Sequence, residues 1–301
     1  MKKTAKARTR RGSRSRTPRP PFPAQHQRRP GIESRIRPQP AFEAPGYRAA
    51  NKLEGRVALI TGGDSGIGRA VAVLFAREGA DIAITHLPAE AGDAEVVRQA
   101  VTALGRRVLL LSGDLRGKAF CERAVRLTVE KLGRLDILVN NAAFQQHQDT
   151  LADLSDEQLR RTLDTNIVAM FRLTRAAMEH LPDGGAVINT GSITGLEGSA
   201  RLLDYSATKG AIHTFTKSLA QMLVDRGIRV NCVAPGPVWT PLNVADKPAR
   251  QVATFGADTP MGRPAQPEEI APAFVFFASN ADSGYITGEV LSLLGGETTA
   301  G

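Results

Sequence analysis

Cysteine is almost missing from this chain: two occur in 301 residues, Cys121 and Cys232. Both sit in patterns that read as helix and strand core. That excludes a disulfide framework and makes a reducing cytoplasm the expected setting. No apolar run approaches the ~18 residues of a membrane-spanning helix, and the basic N-terminus lacks the apolar stretch of a secretory signal. No membrane partner is therefore expected. None of the five histidines has a clear role as a base, and no metal site is assigned.

Acid is absent from residues 1–20, which carry nine Lys/Arg. Residues 1–50 hold 14 Lys/Arg against Glu33 and Glu43, so the formal charge of +9 belongs to this end and the remainder is mildly acidic. Residues 1–21 read as a disordered basic tail, too poor in apolar groups to offset its ordering entropy. Weak, non-specific contact with polyanions is the most such a tail implies. Residues 22–52 differ. Phe22, Ile32, Ile36, Phe42 and Tyr47 recur among prolines, which suggests an extended arm lying on a surface.

What is present from residue 53 onward is a β/α rhythm. Short apolar strands are expected at 56–61, 81–85, 107–112, 136–139, 186–190, 229–234 and 289–293. Helices are expected at 66–78, 89–103, 117–132, 155–180, 204–226 and 267–279. An apolar fraction of 42% suffices for one large core. The alternation predicts an α/β fold: a single Rossmann-type, doubly wound parallel sheet flanked by helices over 53–301, preceded by the arm. Residues 235–266 interrupt the rhythm with six prolines, together with Trp239, Leu242, Phe255 and Met261. A long apolar-flecked loop of this kind reads as a substrate loop or lid.

Thr61-Gly62-Gly63-Asp64-Ser65-Gly66-Ile67-Gly68 closes the first strand and opens a helix. Glycine there lets backbone approach a pyrophosphate, and a helix N-terminus favours the anion. Gly62, Ser65, Gly66, Ile67 and Gly68 are the candidate phosphate cradle. The string Gly63-Asp64-Ser65-Gly66 also mimics a protease nucleophile loop, but the scaffold is wrong for one. Asp114 ends the third strand, where a carboxylate would hold an adenine amine. Asn140-Asn141-Ala142-Ala143 ends the fourth, where small residues admit a ribose. At the end of the second strand His86 stands where Asp or Glu would read an unphosphorylated ribose, and no acid follows until Glu90. Imidazole does not repel a 2′-phosphate, which favours NADP(H); Asp64 in the glycine loop would repel it, so NAD(H) stays the alternative.

Tyr205 and Lys209 lie four residues apart, on one face of a helix. A phenol titrates near ~10 in water, and a fixed cation beside it favours phenolate. With T-G-x-x-x-G-x-G at 61–68, N-N-A-A at 140–143, Asn166 in Asp164-Thr165-Asn166-Ile167, and Ser192 13 residues before Tyr205, the chain resembles the classical short-chain dehydrogenase/reductase family. Pro235-Gly236 and Tyr285-Ile286-Thr287-Gly288 add to the likeness, which covers residues 53–296. The arm resembles the N-terminal extension of a bacterial general-stress or glucose-dehydrogenase-like subgroup.

The resemblance implies a catalytic set. Tyr205 would be the acid-base group, and Lys209 would lower its pKa and hold the nicotinamide ribose. Ser192 would fix the substrate oxygen, and Asn166 would hold a water linking Lys209 to solvent. Leu115, Asn141, Pro235, Gly236, Val238 and Thr240 would complete the dinucleotide site. It also implies an oxidoreductase that interconverts an alcohol and a carbonyl, and a homotetramer. Two departures stand out: N-N-A-A in place of N-N-A-G, and Leu293-Leu294-Gly295-Gly296 in place of V-D-G-G. Phe144, Gln145, Gln146, Leu196, Trp239, Leu242 and Phe255 are candidates for a mixed substrate pocket. An enoyl reductase would need a different Tyr–Lys spacing. A dinucleotide-sensing or nucleic-acid-associated regulator on the same scaffold would not need Tyr205 and Lys209 together.

Overall fold

A computed structural model describes residues 17–298. Its centre is a sheet of seven parallel strands: β1 (Val57–Thr61), β2 (Asp81–His86), β3 (Val108–Ser112), β4 (Ile137–Asn140), β5 (Ala186–Thr190), β6 (Arg229–Pro235) and β7 (Val290–Leu293), in the order β3-β2-β1-β4-β5-β6-β7. The order reverses between β1 and β4, and the carboxyl ends of these strands open the crevice in which such sheets bind ligands. β1, β2, β5 and β6 are buried throughout, which explains why they read as continuous apolar runs rather than alternating ones. The expected fold class holds.

The helices are α1 (Gly66–Arg77), α2 (Ala91–Ala103), α3 (Lys118–Leu132), α4 (Asp156–Leu163), α5 (Ala169–Ala177), α6 (Thr194–Glu197), α7 (Leu203–Met222), α8 (Pro241–Val244), α9 (Ala249–Ala253), α10 (Pro267–Ala278) and α11 (Asn280–Ser283). α1, α2 and α10 cover one face of the sheet around Leu74, Phe75, Val97 and Phe274. α3, α5 and α7 cover the other around Phe120, Val125, Leu173 and Ala220. The single helix expected over 155–180 is in fact α4, a π-helical turn over Asp164–Val168, and α5. The helix expected over 204–226 ends at Met222, followed by a 3-10 turn over Val224–Arg226.

Residues 1–16 of the basic tail lie outside the described residues; of the rest, Arg19 donates from Nη1 to the Met261 carbonyl at 3.2 Å. The following segment lies along the body of its own subunit. Phe22 stacks on Trp239 with ring centroids 4.2 Å apart, and Ile36, Val244 and Val252 close a small separate core around them. The indole Nε1 donates to the Pro38 carbonyl at 2.8 Å. Further along, Glu78 at the end of α1 accepts from the backbone N–H of Ala50 and Lys52 and from the Tyr47 hydroxyl. The arm thus packs on the 235–266 loop near Phe22 and Ile36 and on α1 near Glu33 and Tyr47.

Candidate active site

A cavity of about 600 Å³ opens at the carboxyl ends of the strands, within the range of small-molecule and cofactor sites. Gly62, Ser65, Gly66 and Ile67 line it, as do His86, Asp114, Leu115, Asn141, Ser192, Tyr205, Lys209, Pro235, Gly236, Val238 and Thr240. Two of the catalytic and cofactor candidates do not. Gly68 packs behind the loop, where a Cβ would sit 2.1 Å from the Gly62 carbonyl oxygen and 2.7 Å from the Asn141 amide nitrogen. Its glycine serves loop closure rather than ligand contact. Asn166 lies behind the cavity wall.

The glycine loop fits a pyrophosphate. Gly62 has φ +59° and Gly66 φ +52°, a left-handed backbone that side chains disfavour. Asn141 fixes the loop from β4, donating from Nδ2 to the carbonyls of Thr61 (3.0 Å) and Gly62 (3.2 Å). The Gly66 N–H, however, is directed at the Glu33 carboxylate from the arm. Glu33 also pairs with Arg69 at 2.9 Å, and Arg69 with Asp93 at 3.4 Å. Burial nevertheless raises the Glu33 pKa to about 7.

Asp64, Glu90 and His86 share the adjoining wall. In the sequence Glu90 is the first acid after His86. A 3-10 turn at Pro88–Glu90 brings it back, and its carboxylate accepts from the Leu87 N–H at 2.8 Å. Burial and the nearby Asp64 charge raise Glu90 to about 8, and burial raises Asp64 to about 6. Asp114 is held in its charged form by Arg116, which donates to both carboxylate oxygens.

Ser192 follows β5, and its hydroxyl accepts from Thr194 N and Oγ1, both at 3.1 Å. Ser192 faces the Tyr205 phenol and favours its ionised form. Lys209 is fully buried, and its Nζ donates to the Thr190 carbonyl at 2.7 Å and sits 5.3 Å from the centre of the Tyr205 ring. The anticipated lowering of the phenol pKa by Lys209 does not appear. Burial pushes Tyr205 above its usual value, Ser192 opposes this, and the Asp246 charge adds to it. Burial lowers Lys209 to about 8.

Asn166 is placed by the π-helical turn. Its Oδ1 accepts from Phe144 N at 2.7 Å, and its Nδ2 donates to Phe144 O at 2.9 Å and Thr208 Oγ1 at 3.0 Å. Thr208 in turn donates to the Tyr205 carbonyl. The side chain thus ties the β4 loop to α7. A neighbouring cavity of about 10 Å³ is at the lower limit for one water.

Of the substrate-pocket candidates, Phe144, Gln145, Leu242 and Phe255 line the cavity, whereas Gln146, Leu196 and Trp239 do not. Trp239 is buried in the arm–loop core. The sequence reading missed Arg29, His147, Asp246 and Lys247. Their pairings span 99 to 217 residues, and no local spacing announces them.

A family model described as enoyl-(acyl carrier protein) reductase matches residues 62–298. The uncharacterized oxidoreductase YhdF of Bacillus subtilis (strain 168) is 54% identical over 273 residues, covering 90% of this chain and 94% of its own. General stress protein 39 of the same organism is 53% identical, covering 91% of this chain and 96% of its own. Among solved structures, a short-chain dehydrogenase from Burkholderia cenocepacia J2315 in complex with NADP is 34% identical with a TM-score of 0.76, covering 81% of this chain and 98% of its own.

Proposed function

Because the chain belongs to the short-chain dehydrogenase/reductase family of oxidoreductases, we propose that it interconverts an alcohol and a carbonyl compound with NADP(H), NAD(H) being the weaker alternative. The observation that carries this reading is the convergence of Ser192, Tyr205 and Lys209 on the cavity that the glycine loop also lines. A bound nicotinamide cofactor would supply or accept the hydride. Gly62, Ser65 and Ile67 would hold its phosphates, and Asp114 and Asn141 its adenosine end. Lys209 and Thr240 would meet the nicotinamide half. Ser192 orients the substrate oxygen by donating its hydroxyl proton. Tyr205 gives that oxygen a proton during reduction and takes it back during oxidation.

NADP(H) is favoured because the Burkholderia relative binds NADP and His86 lines the cavity where a ribose acid is usual. Near neutral pH the raised Glu90 carboxyl is largely uncharged and does not repel a 2′-phosphate.

The description of the matching family model raises enoyl reduction as a second reading. The three-residue gap between Tyr205 and Lys209 supports the carbonyl reading instead. A panel of aldehydes, ketones and one enoyl thioester, followed at the NAD(P)H absorbance with each cofactor, tests both. Turnover confined to the enoyl thioester would overturn the carbonyl reading.

Two features support a homotetramer in a reducing compartment. Phe171 on α5 is 53% exposed and meets Phe215 of α7 edge to face with centroids 4.6 Å apart. Both cysteines are buried free thiols.

A further inference from the structure

Asp246, in the loop between β6 and α10, has no exposed side-chain surface. Its carboxylate accepts from Arg29 Nη2 at 2.6 Å, Gln145 Nε2 at 2.9 Å, the His147 N–H at 2.9 Å, and His147 Nδ1. Both oxygens are therefore occupied, each by two donors. Burial pushes this carboxyl up, but the His147 and Gln145 hydrogen bonds outweigh it and keep it ionised. The partner of an ionised Asp246 fixes the imidazole with its proton on Nδ1. His147 Nε2 then accepts from Lys247 Nζ at 3.1 Å.

What this network leaves over is donor capacity. Arg29 is held by Asp246 through Nη2 and by the Gln145 carbonyl through Nε at 3.3 Å. Its Nη1 makes no hydrogen bond among the described residues, and its side chain, 28% exposed, lines the cavity with Tyr205 and Ser192. The guanidinium lies 5.7 Å from the centre of the Phe144 ring, which stiffens it further. Lys247 lines the same wall, but Asp258 stands near it and shares its charge. Glu297 and Glu197 also line the cavity. Arg116, paired with Asp114, and Arg161, 4.2 Å over the Phe144 ring, line the cavity as well; Arg29 is the one whose guanidinium is fixed by a buried carboxylate while it keeps a free edge.

We propose that Arg29, contributed by the N-terminal arm and positioned by buried Asp246, is a specificity-determining residue that binds a carboxylate carried by the substrate away from its reacting carbonyl. The substrate class is then aldehyde or keto acids and the matching hydroxy acids. Asp246, His147 and Gln145 are positioning residues that orient the guanidinium. The proposal rests on the carbonyl-reducing reading for its place in a reaction, but the binding step is measurable without turnover.

Two arms test it on the full-length chain. In the first, NADP⁺-loaded protein is titrated calorimetrically with succinate and with 1,4-butanediol. Succinate should bind and butanediol should not compete for its site. Arg29→Met should weaken succinate binding roughly tenfold or more, the worth of one charge-assisted hydrogen bond. Arg29→Lys, which keeps the charge, should retain part of it and stands in should the Met variant misfold. In the second arm, succinic semialdehyde, 4-hydroxybutanal and butanal are compared by kcat/KM. The carboxylate-bearing aldehyde should lead, and Arg29→Met should cost it more than butanal, through KM rather than kcat. Absence of succinate binding by the wild type overturns the proposal. So does an equal loss for all three aldehydes, or a lead for 4-hydroxybutanal. If no carbonyl is turned over at all, the carbonyl reading fails, while calorimetry still decides whether Arg29 binds a carboxylate.

Discussion

Tyr205 and Lys209 leave water together when α7 packs onto the sheet, and both titrate accordingly. The phenol moves up and the ammonium moves down, to about 8. A phenol held in its protonated form is ready to donate and reluctant to accept. Carbonyl reduction is therefore expected to vary little with pH across the neutral range, while alcohol oxidation rises steadily with pH. Initial rates in both directions from pH 6 to 9 check this, and an oxidation rate that fell with pH would contradict it. Glu90 offers a second test. Its native carboxyl keeps a proton up to about pH 8, against an ordinary value of 4.5. The native state therefore holds more protons than the unfolded one between those values, so stability falls as pH rises through that window. Glu90→Gln removes the contribution. Its melting temperature should decline less between pH 5 and pH 8.5 than that of the wild type, and parallel declines would count against the buried-acid reading. The same substitution should strengthen NADP(H) binding at pH 9, where the wild-type carboxylate is charged.

At the scale of elements, the arm is fastened at both ends and in the middle: Phe22 and Ile36 on Trp239, Glu33 on the first turn of α1, and Tyr47 on Glu78. Ile36 is fully buried, so Ile36→Ala should cost ~2–5 kcal/mol, as large-to-small core changes do. Trp239 is the chain's single tryptophan and reports on this core directly. Its emission should shift to the red in the Ile36→Ala variant or after deletion of residues 1–50, and stay unchanged after deletion of residues 1–16. An unaltered spectrum after the longer deletion would mean that the arm does not shield the indole. The composition of residues 22–52 suggested such packing, but it did not indicate the partner. The contact joins segments about 200 residues apart, and no local pattern encodes it. The π-helical turn was invisible for a related reason. Residues 155–180 have a continuous helical period, and the extra residue that aims Asn166 at Phe144 is a small phase change within it.

For the whole molecule, the seven strands were legible to within a residue or two at each end because the five inner ones are buried throughout and all are apolar runs bounded by turn residues. Nearly every nucleotide-site residue named from its place at a strand end reaches the cavity, since a parallel sheet delivers all its carboxyl ends to one edge. The charge balance of the catalytic pair was not legible. Its sign depends on the depth of burial and on Asp246, neither of which a four-residue spacing reports. Assembly belongs to this scale as well. Phe171, Met222 and Leu203 leave apolar surface on α5 and α7. Multi-angle light scattering at micromolar concentration should return a tetramer mass, and Phe171→Glu should lower it. A wild-type monomer would contradict the assembly.

The central claim is that Tyr205 is the proton donor of a carbonyl-reducing site. Tyr205→Phe removes the hydroxyl and leaves the ring. Its single-turnover rate with an active aldehyde, measured alongside the cofactor dissociation constant, tests the claim most directly. A loss of ~10²–10⁴-fold in rate with cofactor binding retained is the outcome predicted. Near-normal turnover by the phenylalanine variant would show that the proton comes from elsewhere.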